Sequence, residues 1–156
     1  MSIEKVRQYL QPYGLENQIR EFDTSSATVE LAAQALGVEA GRIAKTLSFK
    51  SAAGAIIVVT AGDTKIDNAK YKAQFGLKAK MLTAEEALDC TGHAVGGVCP
   101  FGIDGTRAEI FLDNSLKRFN TVFPACGSAN SAIELTPDKL AEIVPLKSWV
   151  DVSKPI

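Results

Sequence analysis

A glycine-rich segment in the second half of the chain has the residue types of a loop that binds anions through its backbone. The segment consists of Gly96, Gly97, Val98, Cys99, Pro100, Phe101 and Gly102. Glycine allows close approach and unusual dihedral angles, so such a loop can direct N–H groups at an oxygen that carries negative charge. Preorganised N–H donors of this kind accelerate acyl transfer without a nucleophilic side chain. A purely structural turn between two parts of a sheet would have the same composition.

Lys45 is a second residue whose position could carry chemistry. It begins a segment, Lys45–Lys50, in which polar and apolar residues alternate, as in a strand with one solvated face. By that alternation its aliphatic stem lies on the same face as Leu47 and Phe49. A lysine at the edge of a buried face needs a partner, and a bound phosphate or carboxylate would supply one. An internal ion pair is the alternative.

The histidine and the cysteines form no familiar catalytic or metal-binding motif. His93 is the only histidine, and Cys90, Cys99 and Cys126 lack the C-x-x-C spacing of zinc sites. Cys99 could act as a nucleophile with His93 as its base, but intracellular cysteines more often serve as small buried hydrophobes. Hydrolysis without a metal or a covalent intermediate therefore stays open, and so does simple binding.

Positive charge is concentrated in one part of a nearly neutral chain. The net charge is -1, yet residues 41–80 contain eight basic and two acidic side chains, and the segments before and after them are both acidic. Such a basic segment could bind phosphate without making the whole protein basic. A solvated, lysine-rich helix face would give the same pattern.

The length and composition predict a single domain spanning residues 1–156. Hydrophobic residues make up 46% of the chain and charged residues 22%, which excludes a disordered or fibrous protein. No apolar run approaches the roughly 20 residues of a membrane helix. An odd number of cysteines without an export signal favours a reduced, cytoplasmic setting.

The pattern of apolar residues, caps and turns predicts a mixed α/β fold. Helices are predicted from Ser2 to Gly14 and over Val29–Leu36, Asp67–Phe75 and Thr83–Leu88, with a last one beginning at Pro137. Strands are predicted over Gln18–Phe22, Lys45–Lys50, Ala55–Ala61, Glu109–Asp113, Thr121–Ala125 and Ile133–Leu135. Because helices and strands do not alternate regularly, a doubly wound parallel sheet is disfavoured.

These motifs, taken together and in order, resemble the YbaK/prolyl-tRNA-synthetase-associated domain family. Its members are freestanding relatives of the editing domain inserted in bacterial prolyl-tRNA synthetases. The stretches that carry the resemblance are Thr28–Val38, Ile43–Leu47, Ala61–Asp63, Thr91–Gly92, Gly96–Gly102, Asp113, Gly127–Ser128 and Ile133–Leu135. The combination of the Lys-Thr-Leu strand with the Gly-x-x-x-Pro loop is specific to the family.

The resemblance implies a curved, barrel-like mixed β-sheet flanked by helices, and an aminoacyl-tRNA deacylase acting in trans on mischarged tRNA. It implies that Lys45 is essential, that the Gly96–Pro100 loop shapes the site around the ester, and that neither a metal nor a cofactor is used. As a hypothesis, Lys45 holds the terminal adenosine or a phosphate of the acceptor end. The N–H groups of Gly96 to Cys99 then polarise the ester carbonyl, and a water or a substrate hydroxyl or thiol attacks it.

The resemblance also suggests which other residues meet the substrate. The expected substrate-binding residues are Phe22, Thr28, Thr46, Phe101, Gly102, Gly127, Ser128 and Asn130, and the lysines expected at the tRNA backbone are Lys65, Lys70, Lys72, Lys78 and Lys80. Some relatives carry an acidic residue or a histidine after the Gly127–Ser128 position, where this chain has only small neutral residues. This predicts a small or hydroxyl-bearing amino acid such as alanine, serine or threonine.

Phe22 stands where some relatives have a tyrosine, and this weighs against a cysteinyl substrate. The expected partners are the aminoacyl-tRNA acceptor end and an aminoacyl-tRNA synthetase, with no membrane. The alternative is a non-catalytic tRNA- or protein-binding module of the same fold, acting as a regulator or in a synthetase complex.

Overall fold

A five-stranded mixed sheet lies at the centre of the structure, a computed structural model that describes residues 2–52 and 54–156. The helices are α1 (Ser2–Leu10), α2 (Val29–Leu36), α3 (Asn68–Phe75), α4 (Ala84–Thr91) and α5 (Pro137–Ile143). The strands are β1 (Arg20–Glu21), β2 (Ile43–Ser51), β3 (Gly54–Ala61), β4 (Thr64–Ile66), β5 (Ala108–Asp113), β6 (Phe123–Pro124), β7 (Ser131–Ala132), β8 (Leu146–Val150) and β9 (Ser153–Pro155).

The central sheet has the strand order β6-β2-β3-β5-β8. Strands β2 and β3 form an antiparallel pair in which Lys45 is opposite Thr60, whereas β2–β6, β3–β5 and β5–β8 are parallel. Two small antiparallel pairs, β1–β7 and β4–β9, flank this sheet. The sheet is therefore mixed, which confirms the fold class predicted from the irregular order of helices and strands.

Apolar side chains cover both faces of the sheet. Alternate residues of β3 belong to different clusters: Val59 packs with residues from α1 and α5, while Val58 packs with Phe49, Tyr71 and Val152. Because β3 is covered on both sides, nearly all of its residues are buried, as expected for an interior strand. A third cluster, which includes Ala32 of α2, lies beside the start of β2.

Local capping rules predict most helix boundaries correctly. The side chains of Thr28, Asp67, Thr83 and Thr136 each accept backbone N–H groups at the start of a helix. The first helix is shorter than predicted because a 3₁₀ turn, Gln11–Tyr13, follows Leu10 before the chain reaches Gly14.

The strand predictions near the end of the chain are less accurate. The structure places β7 at Ser131–Ala132 rather than over Ile133–Leu135, and Leu135 forms only an isolated bridge with Val122. Strands β1 and β6 are two residues long each, shorter than predicted. Strands β4, β8 and β9 were not predicted, since their short, largely exposed sequences lack a clear alternation.

Candidate functional site

A cavity of about 230 Å³ lies where the start of β2, the start of α2 and the loop after α4 approach one another. Lys45, Thr46, Thr28, Gly96 and Val98 are the predicted site residues that line it. The first two come from β2, Thr28 caps α2, and the last two belong to the glycine-rich loop. Segments far apart in the sequence are thus brought to one cavity.

Among the described residues that line this cavity, Lys45 is the only one with a titratable side chain. Its ammonium donates a hydrogen bond to the backbone carbonyl of Thr64. Burial lowers the pKa of Lys45 below its ordinary value, and the nearby carboxylates of Asp63 and Glu30 oppose that shift. Burial removes part of the water that would otherwise solvate the ammonium. An anion that binds next to it would therefore stabilise its charged form.

The internal ion pair that the sequence left open for Lys45 is not formed with the part of the chain that the structure describes. The nearby Asp63 is held instead by Arg118, whose guanidinium contacts both carboxylate oxygens at 2.6 and 3.1 Å. Arg118 also holds the pKa of Asp63 below its ordinary value. The partner of Lys45 is therefore a neutral carbonyl, and no carboxylate of the described chain forms an ion pair with its ammonium.

The glycine-rich loop presents part of its backbone to the cavity. Gly96 has φ of +94°, a conformation that favours glycine, and Gly96 and Val98 line the cavity. Their N–H groups donate to no atom of residues 2–52 and 54–156. The Gly97 N–H, by contrast, donates to the Ala94 carbonyl at 3.0 Å. Of the four residues expected to donate from this loop, Gly96 and Val98 line the cavity with N–H groups that no described atom accepts, Gly97 is engaged within the loop, and Cys99 does not line the cavity.

The other half of the loop points away from the cavity. Cys99 and Phe101 are fully buried in the core, and Pro100 and Gly102 do not line the cavity. Burial raises the pKa of Cys99 to about 12, so its thiol stays protonated near neutral pH. Its Sγ lies 3.5 Å from His93 Nε2, but that nitrogen is 2.7 Å from the Phe101 carbonyl oxygen. Since a carbonyl can only accept, Nε2 bears a proton and cannot serve as the base for Cys99.

The loop that contains Gly127 and Ser128 packs against the glycine-rich loop. The backbone of Gly127 and Ser128 lies against Gly97, and Ser128 Oγ is 2.6 Å from the Oγ of Ser131, which lines the cavity. Asn130 donates its side-chain amide to the Phe22 carbonyl at 3.0 Å. These predicted substrate-binding residues, Phe22, Gly127, Ser128 and Asn130, therefore surround the cavity wall and do not line it.

The basic residues predicted to contact tRNA all lie outside the cavity. Lys70 is engaged by the Asp151 carboxylate at 3.1 Å and by the Ser153 carbonyl at 2.9 Å. Lys65 is directly opposite Lys154 in the β4–β9 pair. The side chains of four of the five predicted lysines are exposed and form no ion pair with the described residues: Lys65, Lys72, Lys78 and Lys80.

Sequence reasoning missed the apolar wall of the cavity. A buried cluster there consists of Ala32, Ile43, Phe123 and Ala132. Phe123 comes to this wall because β6 pairs with β2, and Ala132 because β7 pairs with β1. Met81 and Val95 also line the cavity and are among the most exposed large apolar residues of the described chain. Val95 directly precedes Gly96 in the sequence, which was the one available signal for its position.

Two classes of feature are absent from the described ranges. Across residues 2–52 and 54–156, no three His, Cys, Asp or Glu side chains lie together as a metal-binding group. Within the same ranges, no helix combines the length and apolar character needed to cross a bilayer.

The chain is similar to several known proteins in sequence and in structure. The chain is 55% identical over 155 residues to the uncharacterized protein YwhH of Bacillus subtilis, covering 99% of this chain and 98% of that protein. It is 31% identical over 114 residues to the proline–tRNA ligase of Thermotoga maritima, which covers 72% of this chain but only 20% of the ligase. A crystal structure described provisionally as a trans-editing enzyme for prolyl-tRNA synthetase superposes with a TM-score of 0.87 at 30% identity, covering 98% of this chain and 97% of that one.

A family model described as the aminoacyl-tRNA editing domain matches residues 23–143. The matched region contains Lys45, the glycine-rich loop and every segment that lines the cavity. Since it also spans more than half of the sequence, the chain belongs to the aminoacyl-tRNA editing domain family.

Proposed function

We propose that this protein is an aminoacyl-tRNA deacylase that hydrolyses the ester of mischarged tRNA in trans, in the cytoplasm. The observation that carries the proposal is that one cavity is lined by Lys45 and by Gly96 and Val98, whose N–H groups donate to no described atom. Together they supply a cation for an anionic substrate and donors for a developing oxyanion. The family assignment makes an aminoacyl ester the natural candidate for that substrate.

In this mechanism the N–H groups of Gly96 and Val98 polarise the ester carbonyl. A water oxygen attacks the carbonyl carbon, the negative charge moves to the carbonyl oxygen, and the bond to the ribose oxygen then breaks. The proton from the attacking water goes to the ribose oxygen, so the products are the free amino acid and uncharged tRNA. Because these donors are already in place, no water has to reorient around the developing negative charge, and this lowers the barrier to reaction.

The proton transfer needs a group that the cavity wall does not supply. Lys45 is the only titratable residue there, and it is required as a cation to hold the terminal adenosine or a phosphate of the acceptor end. The amino, hydroxyl or thiol group of the substrate, or a second water, is therefore the proposed proton carrier. The proposed mechanism needs neither a metal nor a cofactor.

The cavity wall favours a small amino acid. Six alanines contribute to its apolar part beside larger residues such as Ile43 and Phe123, and its hydroxyl-bearing residues are Ser26, Thr28, Thr46, Ser48 and Ser131. Thr46 Oγ1 is buried without a hydrogen-bond partner within the described chain, so a bound amino acid could satisfy it. Alanine, serine and threonine fit this wall.

The exposed lysines are the proposed contacts for the tRNA backbone. Lys65 directly follows Thr64, whose carbonyl accepts the hydrogen bond of Lys45, so this part of the basic segment begins next to a residue that contacts Lys45. Lys70 contributes less than its neighbours, because Asp151 already pairs with it. An aminoacyl-tRNA synthetase that delivers the mischarged tRNA is the second proposed partner.

The decisive experiment measures amino-acid release from a panel of charged tRNAs: alanyl, seryl, threonyl and cysteinyl, on tRNA for proline and on their own tRNAs. Wild type is compared with Lys45→Ala and with Lys50→Ala, a control on the same strand whose lysine pairs with Glu86. We expect release by wild type and by the control but not by Lys45→Ala. No release from any tRNA by folded protein that still binds tRNA would support a non-catalytic binding module.

A further inference from the structure

We infer that His93 is a positioning residue that fixes the glycine-rich loop against the cavity, an inference that rests on the proposed function. The sequence offered His93 as a base for Cys99, a role that the hydrogen bond to Phe101 excludes. The ring is fully buried and takes no direct part in the proposed reaction. Its contacts show what it does instead.

The backbone of His93 is anchored to the end of α4. Its N–H donates to Thr91 Oγ1 at 3.1 Å, and that hydroxyl donates to the Ala87 carbonyl at 2.6 Å. The imidazole ring therefore extends from a fixed point on a helix. From there Nε2–H donates to the Phe101 carbonyl at 2.7 Å, at the far end of the loop. One side chain thus bridges the two ends of the segment that contains Gly96 and Val98.

A second connection runs through the cysteine next to this bridge. Cys99 Sγ lies 3.5 Å from His93 Nε2, and the N–H groups of Phe101 and Gly127 also point at the sulfur. Cys99 therefore links the loop to the Gly127 loop behind it. His93 and Cys99 together hold the buried side of the loop, while the opposite side faces the cavity.

The loop needs such an anchor because it has few hydrogen bonds of its own. Between residues 94 and 100, the one backbone hydrogen bond that the described chain forms is Gly97 N–H to the Ala94 carbonyl. Two adjacent glycines add conformational freedom at this position. Oxyanion donors work only when held close to their productive position, and a displacement of about 1 Å costs roughly a hundredfold in rate.

The test compares three substitutions of His93 that differ in the donor they leave at the Nε2 position. His93→Gln places an amide N–H close to that position, His93→Asn keeps an amide that is too short to reach it, and His93→Phe removes the donor. The control is Val152→Ala, which removes buried methyl groups in the cluster on the other face of the sheet. Amino-acid release is measured at a temperature where circular dichroism shows every variant to be folded.

We expect His93→Phe and His93→Asn to lower kcat by about tenfold to a hundredfold with KM changed by less than about threefold. His93→Gln is expected to recover kcat to within about fivefold of wild type, and Val152→Ala to keep wild-type kcat despite a lower Tm. Equal kcat in folded wild type, Asn and Phe variants would overturn the inference. A Gln variant as impaired as the Phe variant would overturn it as well.

A second measurement separates this inference from the proposed function. Amide hydrogen exchange of Gly97, whose N–H is hydrogen-bonded to the Ala94 carbonyl within the loop, should accelerate in His93→Asn and much less in His93→Gln when followed by NMR, whether or not the protein hydrolyses any ester. If the wild type were inactive but showed this exchange pattern, the proposed deacylase activity would be overturned and the positioning role of His93 would be supported. Unchanged exchange in both variants, with an active wild type, would overturn the anchor alone.

Discussion

The backbone of Gly97 lies directly against the backbone of Gly127, so that the two glycine-containing loops share one contact surface. A Cβ atom added at Gly97 would lie 2.7 Å from the Gly127 carbonyl carbon and 2.7 Å from the Ser128 nitrogen. Side-chain Cβ atoms do not approach backbone this closely, and here both sides are backbone with no flexible group that could move aside. The close approach explains why the glycine-rich loop needs glycine at a position whose own N–H is engaged within the loop.

Gly97→Ala should therefore force the two loops apart. We expect a loss of about 1–3 kcal/mol in the free energy of unfolding, as for other overpacked sites, measured by urea denaturation. Deacylation by the folded fraction should fall more than tenfold, because Gly96 and Val98 move with the loop. Gly105→Ala is the matched control, since a Cβ there meets no atom within 4 Å. Equal effects of the two substitutions would contradict the contact.

Thr46→Val tests whether the unpartnered hydroxyl in the cavity serves the substrate. Valine has the shape of threonine, so the substitution removes a buried oxygen that has no hydrogen-bond partner in the described chain. We expect stability to be unchanged or to rise by about 1 kcal/mol, while KM for the aminoacyl-tRNA rises by about fivefold. Thermal unfolding and steady-state kinetics measure the two effects.

The control for this prediction is Thr60→Val. Thr60 Oγ1 is also buried and unpartnered within the described residues, but Thr60 does not line the cavity. It should show the same gain in stability with no change in KM. A matching rise in KM at both positions would mean that Thr46 acts through the sheet and not through the substrate.

Sequence patterns predicted those features of the fold that depend on neighbouring residues. The caps at Thr28 and Thr83 follow from side-chain hydrogen bonds within three residues, so the sequence around them is sufficient. The edge strand Leu146–Val150 was missed because it gains its stability by pairing with β5, about 35 residues away in the sequence.

The same distinction applies to the candidate site. Lys45 and the loop containing Gly96 could be singled out by residue type, because their chemistry is local. The apolar wall could not be predicted, since Phe123 and Ala132 reach the cavity only through pairing with β2 and β1. That Gly97 donates its N–H to Ala94 could not be predicted either, because it depends on the conformation of the loop.

Deacylation should weaken as salt is added, provided that the exposed lysines contact the tRNA backbone. Each phosphate contact contributes about -0.7 to -0.9 to the slope of the logarithm of affinity against the logarithm of salt concentration. Lys65→Ala and Lys72→Ala are each expected to reduce the steepness of kcat/KM against salt by about that amount. Lys147→Ala, whose lysine pairs with Glu109, is the control and should leave the slope unchanged. If kcat/KM of the wild type did not change with salt concentration, these lysines would contact only solvent and not the tRNA backbone.

The buried His93 should make the stability of the protein depend on pH. Burial lowers the pKa of His93 below its ordinary 6.5; the hydrogen bond to Phe101 opposes this shift and the charge of Lys5 adds to it. Below about pH 6.5 the unfolded chain binds a proton that the folded chain does not, so stability falls as the pH decreases, by at most about 1.4 kcal/mol per pH unit. The loss ends once the pH passes below the lowered pKa of the folded state.

Carboxylates such as Asp63 and Glu134, whose pKa values are also lowered on folding, contribute a similar trend at lower pH. The difference in unfolding free energy between wild type and His93→Gln removes their contribution, because both proteins share them. We expect this difference to shift in favour of His93→Gln as the pH falls from about 7.5 to about 5. Urea denaturation at several pH values measures it, and parallel curves for the two proteins would show that His93 titrates alike in the folded and unfolded states.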